Sequence, residues 1–264
     1  MAILISKKTD ANMPVRYFMH LAYNGAPFHG WQRQPNAGSV QETIEKALSM
    51  VLRQEVAVTG AGRTDTGVNA RCMYAHFDVD SPIADARRLV ASVNSIVGRD
   101  IAVYSIIPVA ADAHARFDAT SRTYKYFINK RKSPFDYHFA WTPPFALDVE
   151  AMNEAAGRLF RYSDFTSFSK LHTDAKTNIC RIDHARWEDT GEQLVFTITA
   201  DRFLRNMVRA VVGTLVEVGR GKITADDFCA IIEKKDRCEA GTSVPGNALF
   251  LWDITYPYNL DATI

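Results

Sequence analysis

Cysteine is scarce in this sequence, and its spacing excludes more than its number does. Cys72, Cys180, Cys229 and Cys238 form no C-x-x-C pair and have no histidine cluster beside them. A zinc site is therefore not expected, whereas free thiols in a reducing compartment are, which makes the cytoplasm the expected location. Long apolar runs are lacking too, since none approaches the roughly 18 residues that a membrane-spanning helix requires. Met1 to Ile5 gives way at once to Lys7 and Lys8, so no secretory segment is expected. Net charge is nearly absent: 31 basic against 30 acidic residues leave +1, which argues against a uniformly basic nucleic-acid binder. What is there, 264 residues with 47% hydrophobic and 23% charged content, suits a globular protein with one large core or two smaller ones.

The near-zero total conceals local asymmetry. No acidic residue occurs from Val15 to Gln41, and none from Arg122 to Lys132, where Arg122, Lys125, Lys130, Arg131 and Lys132 alternate with Tyr124, Tyr126 and Phe127. Basic side chains between aromatic ones suit a polyanion whose bases can stack. Taken alone, such a run is as readily a solvated strand edge with a charged turn.

Periodicity organises the chain. Val15, Tyr17, Met19, Leu21 and Tyr23 recur with period two and end at Asn24-Gly25, which predicts a strand. Ser39-Val40-Gln41-Glu42 has the form of a capping box, and Val40, Ile44, Ala47, Leu48 and Val51 follow at helical spacing. Strands near 56–59 and 72–79, a helix near 84–97 and a strand near 101–109 complete a β-α-β-β-α-β order. The same order is predicted again: strand 121–129, helix 149–160, strands 179–188 and 193–200, helix 203–218, an added helix 224–235 behind Thr224-x-x-Asp227, and strand 248–256. The fold class expected is α+β, with two ferredoxin-like halves over residues 14–110 and 111–264, a flexible tail over residues 1–13, and a site in the cleft between the halves.

The most unusual stretch runs from Thr59 to Ala70 as TGAGRTDTGVNA. It is not a dinucleotide fingerprint, because Asp65 occupies the third glycine position and a strand follows instead of a helix. Nor is it a phosphate loop, since Gly-Lys-Ser/Thr is missing. What remains is a carboxylate on a loop whose glycines permit sharp turns and close ligand approach, with Arg63 beside it. An Asx-turn residue that merely closes the loop is the plainer alternative. In the predicted helix 203–218, Arg202, Arg205 and Arg209 share a face opposite Phe203, Met207, Val211 and Leu215. Cations near a helix start oppose its dipole, which suggests anions as their partners.

Set side by side, these segments resemble the tRNA pseudouridine synthase A family. The resemblance is carried by Tyr23-Asn24-Gly25, Phe28-His29-Gly30-Trp31-Gln32-Arg33-Gln34, Gly62-Arg63-Thr64-Asp65-Thr66-Gly67-Val68 and His114-Ala115-Arg116-Phe117. It continues through Arg122-Thr123-Tyr124-Lys125-Tyr126, Asp164-Phe165-Thr166-Ser167-Phe168 and Met207-Val208-Arg209 to Glu217-Val218-Gly219. These motifs follow the family's order over nearly all of residues 15–256. Departures are Asn69 where histidine is usual, Ala210 for asparagine, the absence of a proline from residues 94–98, and Ala248 for glycine.

The resemblance implies an isomerase that converts uridine to pseudouridine in tRNA, at neighbouring positions on the 3′ side of the anticodon arm, as a homodimer and without cofactor or metal. It places the catalytic carboxylate on Asp65, the active-site phenol on Tyr124 and the carboxylate's partner on Arg209. Arg63 would fill the space left by a flipped base, and Arg205, Lys130, Arg131 and Lys132 would contact phosphates. Asp65 would either attack the nucleoside or remove a sugar proton, and both routes stay open. Competing readings are a family member with other target uridines and an RNA-binding module without activity. A glycoside-type hydrolase would require a second carboxylate, and no clear one accompanies Asp65.

Overall fold

The computed structural model describes residues 14–35, 37–170 and 177–260; the expected tail over residues 1–13 lies outside them. Strand β1 (Val15–Tyr23) follows the period-two pattern, and helix α1 (Val40–Leu52) buries Val40, Ile44, Ala47 and Leu48. Then come β2 (Val58–Gly60), β3 (Asn69–Val79), α2 (Ala86–Ile96), β4 (Ile101–Pro108), β5 (Ser121–Asn129), α3 (Val149–Arg158), β6 (Ile182–Asp189), β7 (Gln193–Ala200), α4 (Met207–Gly219), α5 (Ala225–Lys234) and β8 (Leu249–Thr255). The class is α+β.

Among the described residues, all eight strands join one sheet in the order β4-β1-β3-β8-β5-β7-β6, with β2 paired to β3 beside that path. Every neighbouring pair is antiparallel except β3 and β8, which run parallel and meet only at Asn69 with Phe250 and Ala70 with Leu251. This short parallel contact is a seam. Because β3 and β8 run the same way, the loops that enter them lie at the same end of the sheet, so residues 61–68 and 243–248 are brought together.

Two cores flank the seam. One gathers Met19, Leu21, Ile44, Leu48, Phe77 and Val93; the other gathers Tyr126, Trp187, Phe196, Met207, Val211 and Leu215. Each fully buried aliphatic or aromatic side chain contributes about 1.5–3 kcal/mol. Helix α4 is the most buried element, with Arg209 and Glu217 alone among its 13 residues outside the buried class. Its Gly213 is required by packing, because a Cβ there would strike the carbonyl oxygen of Thr242.

The helix caps differ in completeness. Thr224 and Asp227 form the full reciprocal box of α5, while Ser39 caps α1 and Glu42 turns instead to Lys46 at 2.7 Å. The start of α4 corrects the sequence expectation. The helix begins at Met207, not at residue 203, because Leu204–Asn206 form a turn in which Asn206 adopts φ 65° and the carbonyl of Leu204 accepts from the amide of Met207. Arg202 and Arg205 therefore precede the helix and do not share a helical face with Arg209. The expected strand 179–188 also starts late, at Ile182, Ile179 being exposed and bridged to Asp164 instead.

Candidate active site at the seam

The loop before β3 is fixed on both flanks. Gly30, at φ 89°, lets the chain pass so close to Thr64 that a Cβ would collide with its carbonyl oxygen. The Trp31 amide donates to that same oxygen at 3.3 Å, and the Thr64 hydroxyl lies 2.9 Å from the buried Tyr23 phenol. Beyond Asp65, the amide of Val68 returns to the Asp65 carbonyl at 3.1 Å, and Gly67 supplies the φ of 75° that the turn requires. The Asp65 side chain is left 25% exposed, so a carboxylate stands on a rigid loop with access to solvent.

Asn69 explains how that loop is tied to the other side of the seam. It is buried, its Oδ1 accepts from the Gly25 amide at 2.8 Å, and its Nδ2 donates to the Asn247 carbonyl at 2.7 Å. The residue that departs from the family's usual histidine is thus an internal strut.

Arg209 is the first polar side chain of α4 and points back across the seam. Its Nη1 lies 3.4 Å from Asp65 Oδ2, a loose ion pair, while its Nε donates to the Val244 carbonyl at 2.8 Å. The loop that supplies Val244 is itself held, since the Tyr126 phenol donates to the Pro245 carbonyl at 3.1 Å. Guanidinium orientation is therefore set by one main-chain carbonyl as well as by the carboxylate.

Tyr124 occupies β5 in register with Leu251 of β8 and packs against both cores. Its ring meets Phe203 edge-on at 5.1 Å. Burial pushes its phenol up to about 12, with the charge of Asp65 adding to the rise and that of Arg122 opposing it. A phenol so raised stays protonated at neutral pH, which suits hydrogen bonding and stacking and not base catalysis.

Arg122 has a different use from the phosphate contact that its basic run suggested. Its guanidinium donates to four backbone carbonyls, those of Ala61 (3.0 Å), Arg116 (2.6 Å), Ala119 (3.1 Å) and Asp201 (2.9 Å). Nothing in the sequence signals this role, because carbonyls have no one-letter signature.

The structure thus brings Asp65, Arg209 and Tyr124 to one end of the seam, with Arg63 exposed two residues before Asp65. Arg205 is exposed in the turn before α4. Lys130, Arg131 and Lys132 lie past the far end of β5, roughly 20 Å from Tyr124 at strand rise. The acid-free run acquires carboxylates from the β6–β7 hairpin: Lys130 pairs with Asp189 at 2.8 Å and Arg131 with Glu192 at 2.6 Å. Among the described residues no group of three His, Cys, Asp or Glu side chains is placed to hold a metal ion.

Fold and site together define an α+β protein that presents a carboxylate, a guanidinium and a phenol at the junction of two packed cores. A family model described as tRNA pseudouridine synthase matches residues 156–257. The tRNA pseudouridine synthase A of Parabacteroides distasonis is 60% identical over 93% of this chain and 97% of its own length. That of Bacteroides fragilis is 57% identical over 93% and 98%, and that of Bacillus subtilis 38% over 89% and 97%. The chain belongs to the tRNA pseudouridine synthase A family, and pseudouridine synthases are isomerases.

Proposed function

We propose that this protein isomerises uridine to pseudouridine in tRNA at neighbouring positions on the 3′ side of the anticodon arm, with Asp65 as the carboxylate that acts on the nucleoside. The observation that carries the proposal is the pairing of Asp65, on the loop before β3, with Arg209 of α4, close enough to the Tyr124 phenol for the Asp65 charge to act on it.

In the reaction the bond from C1′ to N1 breaks, a bond from C1′ to C5 forms, and the proton of C5 is exchanged for one on N1. Nothing is added or removed, so the chain's own groups suffice and no cofactor is invoked. Asp65 either attacks the nucleoside or takes a sugar proton. Arg209, anchored on the Val244 carbonyl, steadies the carboxylate. Tyr124 stacks on the uracil and donates a hydrogen bond, its raised pKa keeping the proton in place. A stacked uridine must first be extruded at a cost of a few kcal/mol. Arg63, exposed beside Asp65, fills the vacated space and holds a phosphate. Arg205 and the Lys130–Lys132 segment serve as more distant phosphate contacts.

The two halves, residues 14–110 and 111–264, are each read as ferredoxin-like. Support comes from strand order: β4-β1-β3-β2 in one and β8-β5-β7-β6 in the other follow the same fourth-first-third-second arrangement. The cleft between them takes the flipped nucleotide. A homodimer that binds tRNA across both subunits, working in the cytoplasm, completes the reading; it rests on the family resemblance.

The test is release of tritium from [5-³H]uridine-labelled tRNA transcript by the purified protein in buffer with chelator and nothing else added. Release with mapping to the anticodon arm is expected. No release on any tRNA would overturn the proposal, and activity restored only by a metal would overturn its cofactor-free part.

A further inference from the structure

Gly62 is a glycine that the fold itself does not require. Its φ is not positive, and a Cβ built on it would meet no heavy atom within 4 Å. At Gly60, by contrast, a Cβ would strike the ring of Trp31. Gly38 and Gly157 are open in the same way, but Gly62 alone of the three lines a cavity beside Asp65, where a glycine lets a ligand come close.

What lies there is a cavity of about 220 Å³. Gly60 and Gly62 form part of its wall, Gln32 and Thr59 another part, and among the described residues no Asp or Glu lines it. Two arginines border it from different segments: Arg63 on the Asp65 loop and Arg116 on the link between β4 and β5, both exposed. The two segments are tied by a single atom, because Nη2 of Arg122 donates both to Ala61 O, two residues before Arg63, at 3.0 Å and to Arg116 O at 2.6 Å. The main chain on two sides of the cavity is therefore joined by one side chain.

Two arginines from separate segments on one wall without a carboxylate among its described lining residues suit a phosphodiester, since each guanidinium can donate two parallel hydrogen bonds to phosphate oxygens, and that of Arg116 rests over the Phe117 ring at 5.7 Å. The open glycine surface beside them leaves room for the attached sugar. We infer that this cavity is a subsite for one nucleotide of the substrate RNA flanking the target uridine, its phosphate held between Arg63 and Arg116 and its ribose against Gly60 and Gly62. Gly62 and Asp65 are three residues apart, which limits their separation to about 10 Å and makes the bound nucleotide a near neighbour of the reacting one. The inference rests on the proposed tRNA activity and adds to it a second point of grip that sets the register of the strand.

Gly62→Ala, Gly62→Leu and Arg116→Gln test it, with tRNA affinity measured by filter binding across a salt series and turnover by tritium release. Gly62→Leu is expected to melt within a few degrees of the parent and to raise KM for tRNA by about 10- to 100-fold, Gly62→Ala falling between. Arg116→Gln should weaken binding and reduce the slope of log K against log salt by about 1. Parental KM in Gly62→Leu together with an unchanged salt slope in Arg116→Gln would overturn the subsite. Should Gly62→Leu unfold, Arg116→Gln decides alone, because that side chain is on the surface. The two readings fail separately: a parent that makes no pseudouridine sinks the activity, while the binding measurements still report on the cavity.

Discussion

Replacing Asp65 by asparagine separates the chemistry of the carboxylate from its structural use. Asparagine keeps the size of the side chain and an oxygen that can accept from Arg209, and the main-chain bond from Val68 to residue 65 at 3.1 Å is untouched. What is lost is charge. Two unit charges about 4 Å apart attract by about 4 kcal/mol at an effective dielectric of 20. Both side chains are about a quarter exposed, 25% and 23%, so water already screens much of that gain. Arg209 also keeps its bond to Val244 when the partner becomes neutral. The net cost in stability is therefore about 1 kcal/mol, or a fall in Tm of about 2–4 °C for a chain of this size. Loss of the reacting group should lower turnover by at least ~10³-fold, equivalent to about 4 kcal/mol of transition-state stabilisation. The two effects differ enough to be told apart by thermal unfolding, tRNA binding and tritium release on the same preparation. A folded Asp65→Asn protein that binds tRNA and turns over within tenfold of the parent would refute the assignment of Asp65 and the mechanism built on it.

Tyr124→Phe should keep the edge contact with Phe203 and bind tRNA within about twofold, yet react on the order of 10²-fold more slowly; a rate within threefold of the parent would remove the hydroxyl from the mechanism. Changing Lys130, Arg131 and Lys132 together to glutamine should reduce the salt slope of tRNA binding by about 1 and not by 3, because two of the three are already paired with Asp189 and Glu192. If neither affinity nor slope moves, that segment is not on the RNA path. Stability should fall in alkali: burial raises the phenols of Tyr23, Tyr124, Tyr126 and Tyr256, so above pH 10 the unfolded chain releases protons that the folded one retains. The contribution is complete below pH 10 and lost above it by about 1.4 kcal/mol per phenol per pH unit. Equal urea midpoints at pH 8 and pH 11 would contradict that burial.

Elements whose stability is local were legible in the sequence. The cap at Thr224 depends on residues three apart, and the alternation of β1 depends on its own side chains, so both could be read without a partner. Features decided by distant contacts were not. Phe203 extends the helical periodicity backwards, but a bond from Asn206 to Ser243 at 2.7 Å and one from the Lys170 amide to the Arg205 carbonyl at 3.0 Å hold residues 204–206 as a turn. The Arg122–Lys132 run looks uncompensated along the chain because its carboxylates arrive from a hairpin some 60 residues on. Asp65 and Arg209 stand 144 positions apart, and no periodicity could have paired them; the resemblance to a known family did.

The placement of the chemical groups depends on few contacts, which has a consequence for how the site tolerates change. The parallel ladder between β3 and β8 holds two residue pairs, too few to fix a carboxylate from one side against a phenol from the other. Alignment comes instead from exchange across the seam. Val68 is buried in the second core, while Leu251 and Ile254 are buried in the first, so neither core closes without the other. Around these apolar keys two bonds to main-chain carbonyls cross the seam, Asn69 to Asn247 and Arg122 to Ala61, while Arg209 to Val244 and Tyr126 to Pro245 hold the facing loop on its own side. A carbonyl acceptor asks only for a donor at the right place, so different donors can serve one acceptor, and an asparagine at position 69 meets that demand. Arg122 has no such substitute: a lysine donates from one point, and cannot hold four carbonyls from separate segments at once. The residues proposed to perform the chemistry are thus aligned by others bonded to the main chain, and of these Arg122 is the one whose geometry a conservative change cannot reproduce.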